Sequence, residues 1–306
     1  MQVKIINICI SICFFVFSMF LYSYYKFGDL YWYSEIYKNM PDQLISAFQF
    51  YSSSIDSKEI IHFLIVYVFH NILNKDVLFS FINAVMIYNI LLYLQKINVS
   101  WFIIILILFN YYTIVLLTSA ERLKVAMLFF MFALNAKNSR NQYINVLLSL
   151  VSHLQMSMLY IVILVRNMLY KVSNRITLNK ILKTVSIVII IALVGFFFLK
   201  DQFLNKLVWI KSYGVSETYK SIICLILSIV ISKKILDPIL LISPFIIACL
   251  YIGGTRINMF SFLIFCYFAF QNKRGMNTIT ILSLLFFLYK TIYFIMNVIK
   301  YGDGFL

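Results

Sequence analysis

At 306 residues and 36.0 kDa, 63% hydrophobic and only 12% charged, with mean hydropathy +0.92, the chain is too apolar for a water-soluble fold and has no room for a separate soluble domain. Its net charge of +15 is not a nucleic-acid signal, because the lysines and arginines scatter through short loops between apolar runs. That pattern sets topology in membrane proteins and holds anionic lipid. The composition predicts an all-α, polytopic transmembrane helical bundle of about 9–11 helices, some short or re-entrant. It forms a single integral membrane domain over 1–306, with an outer acidic and aromatic segment at 26–59 and an outer loop at 200–220.

The first apolar run, 5–25, follows Lys4 and ends in Tyr22, Tyr24 and Tyr25. It is too long for a signal-peptide core and lacks small residues at its end, so it reads as an uncleaved signal anchor. Segment 26–59 sets Asp29, Glu35, Asp42, Asp56 and Glu59 against Lys26, Lys38 and Lys58, and is placed outside. Within it, Asp29, Tyr33, Glu35 and Tyr37 are candidate substrate-binding residues, since rings stack on sugar faces and carboxylates accept bonds from hydroxyls. The competing reading is an aromatic belt at the interface.

Run 60–73 is short, and an internal N-terminus requires 60–94 to cross an odd number of times, so it reads as a half-span or an interfacial helix. Glu59, His62 and His70 around it are weaker candidates. Runs 77–94 and 99–117 follow as spans, and the turn 118–124 opens outward. There Arg122 is a candidate catalytic residue, because a guanidinium stays charged when partly desolvated and grips phosphate as a fork. Its ordinary alternative is pairing with Glu121 or snorkelling at a span end.

After run 123–135, the loops 137–142 and 166–183 are both basic, yet a single apolar run, 143–165, separates them. Either the run breaks near 152–155, which puts His153 in an outward-facing position, or one loop disobeys the charge rule. A neutral imidazole there can take a proton, whereas a merely structural histidine would bond to a neighbouring helix.

Run 184–199 leads to the outer loop 200–220, where Lys206, Lys211, Tyr213 and Tyr219 face an anionic head group or simply line the interface. Lys211 and Tyr213 are the binding candidates. Runs 221–232, 235–252, 257–270 and 278–299 complete the bundle. Asp237-Pro238 reads as a helix start. Arg256 follows Gly253-Gly254-Thr255, where two glycines at a helix start leave room for an anion. The alternative there is a plain turn.

The five cysteines all lie inside apolar runs and read as packing or lipid-facing residues. With three histidines and no metal-ligand spacing, no metal is expected.

Four places together resemble the EpsG and Wzy-like polymerases of bacterial surface polysaccharides, the O-antigen polymerases among them. They are Asp29…Tyr33…Tyr37 after the first span, Arg122 opening a short helix, His153 in Val151-Ser152-His153-Leu154-Gln155-Met156-Ser157, and Arg256 near the start of a late span. The resemblance implies a metal-independent, cofactor-free membrane glycosyltransferase of the bacterial inner membrane with its site facing the exterior. Its substrates would be oligosaccharide repeat units on undecaprenyl pyrophosphate, and its partners membrane lipid, a flippase and a chain-length regulator, with no nucleic acid. His153 would be the base, with Asp29 or Glu35 behind it, and Arg122 and Arg256 would stabilise the leaving pyrophosphate. A flippase or transporter of the same lipid-linked unit, or an O-acyltransferase modifying the polysaccharide, are the competing classes.

Overall fold

With few glycines and prolines and long apolar stretches, the backbone satisfies itself most cheaply in helices. The computed structural model describes residues 2–55, 59–172, 214–232, 235–252 and 254–305. Among the described residues there are 14 α-helices, one short 3-10 turn (Lys273–Gly275) and no strand. The chain divides into two compact units, Met1–Met156 with Lys273–Leu306, and Ser157–Asn272.

The first unit holds α1 (Gln2–Tyr22), α2 (Asp29–Lys38), α3 (Leu44–Ile55), α4 (Ile60–Phe69), α5 (Lys75–Lys96), α6 (Trp101–Leu108), α7 (Tyr111–Thr118), α8 (Glu121–Asn135), α9 (Ser139–Ser152) and, at the chain's end, the helix Thr278–Tyr301. Polar pairs stitch α1 to α5. The Asn7 and Gln95 amides exchange bonds of 2.9 and 2.7 Å, and Asn83 donates to the hydroxyls of Ser18 (2.9 Å) and Tyr22 (3.1 Å). Asn7 and Gln95 meet near one end of the pair and Tyr22 and Asn83 near the other, so the two helices run antiparallel. Everything between them in sequence, α2 to α4, therefore gathers at one end of the pair.

Helix α4 has 10 residues and rises about 15 Å, half of the ~30 Å a span needs. It is too short to span by itself; run 60–73 reads as a half-span or an interfacial helix. It packs with α2 and α3 into a core of Leu30, Tyr37, Tyr51, Phe63, Val66 and Phe79. Burying a ring of this size contributes roughly 2–3 kcal/mol.

Among the described residues three helices are long and apolar enough to cross a membrane, Val3–Tyr22, Lys75–Lys96 and Lys273–Tyr301 (the last counted with the 3-10 turn), or four if α6 and α7 are taken as one bent span. Among the described residues helices are more numerous than the 9–11 expected from the apolar runs, and several of them are too short to span; run 184–199 lies outside those residues. Two of the runs are broken. Run 99–117 is not one helix: it bends by 46° at Phe109-Asn110. Asn110 starts a new helix by accepting the Tyr112 amide at 3.0 Å. The carbonyls freed at the break are taken by Thr113, on Ile107 at 2.7 Å, and by Thr291, on Phe109 at 2.8 Å. A break in apolar surroundings survives only with such replacements.

Run 143–165 breaks where its two basic flanks asked for it. Helix α9 ends at Ser152, His153 is extended (φ −160°, ψ 122°), and α10 (Gln155–Val172) begins two residues later.

In the second unit α11 (Gly214–Ile231), α12 (Leu236–Ile252) and α13 (Gly254–Gln271) pack on one another. Ser221 of α11 is bonded at 2.7 Å to both Asn258 and Ser261 of α13. Interhelical hydroxyls and amides serve as contacts where helix surfaces are uniformly apolar. Asp237 lies inside the first turn of α12 rather than capping it, and pairs with Arg166 at 3.7 Å. The chain's last helix is α14 (Thr278–Tyr301), capped by Asn277 and closed by Gly302 in the left-handed conformation (φ 77°). The Gly302 carbonyl accepts the Lys26 amide at 3.0 Å, and an added Cβ would stand 2.9 Å from the Lys26 side chain. Run 184–199 and the loop residues Lys206, Lys211 and Tyr213 lie outside the described residues.

Candidate functional site

Three elements that are distant in sequence meet at Glu59. The Glu59 carboxylate stands at the start of α4, Arg122 is in the first turn of α8, and His153 is the residue at the α9–α10 break. Arg122 Nη1 lies 3.2 Å from Glu59 Oε2, and His153 Nδ1 is hydrogen-bonded to Glu59 Oε1. Arg122 Nε also donates to the Tyr33 hydroxyl at 2.8 Å, and the guanidinium stands 5.9 Å from the centre of the Tyr33 ring. His153 Nε2 lies 3.2 Å from the Gln155 amide oxygen.

The cluster is largely shielded: the side chains of Arg122 and Glu59 are each 12% exposed and that of His153 is 5%. Burial works to raise the Glu59 carboxyl. The His153 hydrogen bond, the interaction with the His153 charge and Arg122 together outweigh it and hold the group at about 2. Glu59 is therefore ionised at neutral pH. It holds the imidazole by Nδ1, and Nε2 lies against the Gln155 amide oxygen; only the neutral ring, with its proton on Nδ1, can accept a proton at Nε2.

This geometry joins three expected residues, Tyr33, Arg122 and His153, and revises their partners. The carboxylate behind His153 is Glu59, not Asp29 or Glu35. Asp29 is exposed, and Glu35 pairs with Lys38 at 3.6 Å. Arg122 does not pair with its neighbour Glu121. That carboxylate turns into the core, where it meets Lys75 at 2.8 Å and His62 at 3.9 Å. Tyr51 in turn bonds to His62 at 2.8 Å. Glu59 was legible only as an acidic residue before an apolar run, because a contact across 94 positions leaves no local pattern.

A second feature lies nearby in the same unit. A cleft of about 540 Å³ opens beside α2 and the start of α5, lined by Tyr25, Tyr31, Ser34, Glu35, Tyr37 and Lys75 among others. Tyr37 and Glu35 thus face the cleft while Tyr33 faces Arg122, so α2 stands between the two. Burial pushes the Tyr37 hydroxyl up to about 12, and it donates to the Leu73 carbonyl at 2.9 Å.

Arg256 belongs to the second unit, half-buried in the first turn of α13. Gly254, just before it, does leave room for an anion, but for one of the protein's own. A Cβ on Gly254 would lie 2.4 Å from Glu217 Cβ and 2.8 Å from its carboxylate. The space read as room for a ligand is filled by α11. Lys211 and Tyr213 lie outside the described residues.

Among the described residues no group of three His, Cys, Asp or Glu side chains is arranged to hold a metal ion. Comparison with protein-family models, with curated proteins and with solved structures finds no match.

Proposed function

We propose that this chain is a membrane glycosyltransferase of the Wzy type that polymerises repeat units of a bacterial surface polysaccharide at the outer leaflet of the inner membrane. The observation that carries the reading is the shielded meeting of Glu59, Arg122, His153 and Tyr33. It assembles a base held by a carboxylate beside a fixed guanidinium, which is what glycosyl transfer from a pyrophosphate needs.

In this reading the acceptor sugar hydroxyl attacks the anomeric carbon of the growing chain. The bond from that carbon to the pyrophosphate oxygen breaks, and undecaprenyl pyrophosphate leaves with the electron pair. His153 Nε2 takes the hydroxyl proton, while Glu59 holds the ring through Nδ1. Arg122, fixed by Tyr33 and Glu59, offsets charge as it develops on the leaving group. Grooves between helices hold the isoprenoid tails. A flippase that delivers the lipid-linked unit and a chain-length regulator are the protein partners of such an activity.

The test is the polysaccharide ladder on a gel from a strain lacking this gene, complemented with wild type, Arg122→Ala or Glu59→Gln. Loss of the ladder with one repeat unit retained, restored by wild type and not by either variant, is the expected result. Losing one charge-stabilising donor costs about 10²- to 10³-fold in rate. Unchanged chain lengths in the deletion strain would overturn polymerisation.

A further inference from the structure

The cleft beside α2 differs chemically from the Arg122 site. Its aliphatic lining is limited to Leu30 and Leu73, too little for an isoprenoid tail. Its charges balance. Lys75 is neutralised by Glu121 at 2.8 Å, which leaves Lys26 and Lys38 against Glu35 and Asp76. No arginine lines it. Without an arginine, the lining lacks the planar fork that grips a phosphate in two places.

The cleft is instead lined by tyrosines, of which Tyr31 is open and Tyr37 only 4% exposed. Tyr37 is tied by its hydroxyl to Leu73 at 2.9 Å, and Tyr25 to Ser119 at 2.9 Å. With hydroxyls engaged, both rings are held in place before any ligand arrives. Tyr31 stands at the lip, 46% exposed. Around the rings lie donors and acceptors of both kinds, in Ser34, Glu35, Lys38 and Asn74. Ring faces beside mixed hydrogen-bonding groups suit a neutral, polyhydroxylated ligand. The volume of about 540 Å³ falls within the ~300–1000 Å³ of ordinary ligand pockets.

We propose that this cleft is a saccharide-binding site, distinct from the Arg122 site, that holds sugar residues of the glycan away from the bond being made. The proposal rests on the glycosyltransferase reading and adds a division of labour to it. Helix α2 separates the two functions, with Tyr33 turned to Arg122 and Tyr31, Glu35 and Tyr37 to the cleft. A site of this kind retains the growing glycan between additions, so its loss shortens chains without stopping transfer.

The test uses the purified full-length protein in lipid nanodiscs and the delipidated repeat-unit oligosaccharide from the strain's own polysaccharide as the probe. Binding is read by saturation-transfer NMR for wild type, Tyr31→Ala and Glu35→Gln. Both side chains are substantially exposed, so these variants fold. The expected result is binding by wild type, weakened about tenfold in each variant, together with a polysaccharide ladder of shorter modal length in cells carrying them. Absence of wild-type binding, or equal binding by all three proteins, overturns the cleft assignment. Failure of the underlying reading looks different: the ladder of the deletion strain is then unchanged, whatever the oligosaccharide does in vitro.

Discussion

Glu59 sits between Arg122 and His153, and its ionisation ties the cluster to pH. Its carboxyl titrates at about 2 in the folded protein against an ordinary 4.5. Between those values the unfolded chain binds more protons than the folded one, so stability falls as pH drops. The contribution is complete above about 4.5 and lost by about 2, and amounts to about 3 kcal/mol. Thermal unfolding in nanodiscs should therefore show a midpoint that declines from pH 5 to pH 3 in wild type and declines less in Glu59→Gln. Equal slopes in the two proteins would contradict the assignment. Glu59→Gln should also lower the plateau at neutral pH, because it leaves the Arg122 charge shielded and unpaired.

At the scale of elements, the breaks are where sequence and structure part most clearly. Run 99–117 is apolar apart from Ser100, Asn110 and Thr113 and has no proline or glycine, yet it bends at Asn110. Thr291, from the far end of the chain, takes the Phe109 carbonyl at 2.8 Å. Thr291→Val keeps the shape and removes the donor, so it should cost about 1–2 kcal/mol in denaturant unfolding. A change within experimental error would mean that the carbonyl finds another partner.

Gly254 makes the opposite kind of argument. In an unhindered helix, Gly→Ala stabilises by up to ~1 kcal/mol. Here the new methyl meets Glu217 Cβ at 2.4 Å, and overpacking of that kind costs about 1–3 kcal/mol. Gly254→Ala should therefore lower the unfolding midpoint. A raised midpoint would show that α11 and α13 do not approach as closely as the structure has them.

For the whole molecule, composition and charge placement carried the fold class. Long continuous apolar runs, rather than short alternating ones, favour helices where water is scarce, and the described residues are all-helical. The break at His153 was legible too, because two basic loops flanked a single apolar run and the charge rule left few alternatives. Arg122 and His153 stood out because polar groups are costly where long apolar runs break, and Tyr33 as a ring in the acidic, aromatic segment 26–59.

Tertiary structure decided what those groups touch. Hydrogen bonds and ion pairs reach only about 3–4 Å, while the sequence separations are 94 positions for His153 with Glu59 and 89 for Arg122 with Tyr33. Nothing in either local pattern encodes the partner. That Glu59 rather than Asp29 or Glu35 meets His153, that Gly254 admits Glu217, and that α2 turns one tyrosine to the arginine and others to a cleft, depend on how the helices pack. The sequence by itself determined which side chains were too costly to be idle in an apolar chain; packing decided how they combine, because short-range contacts are made only after distant segments have been brought together.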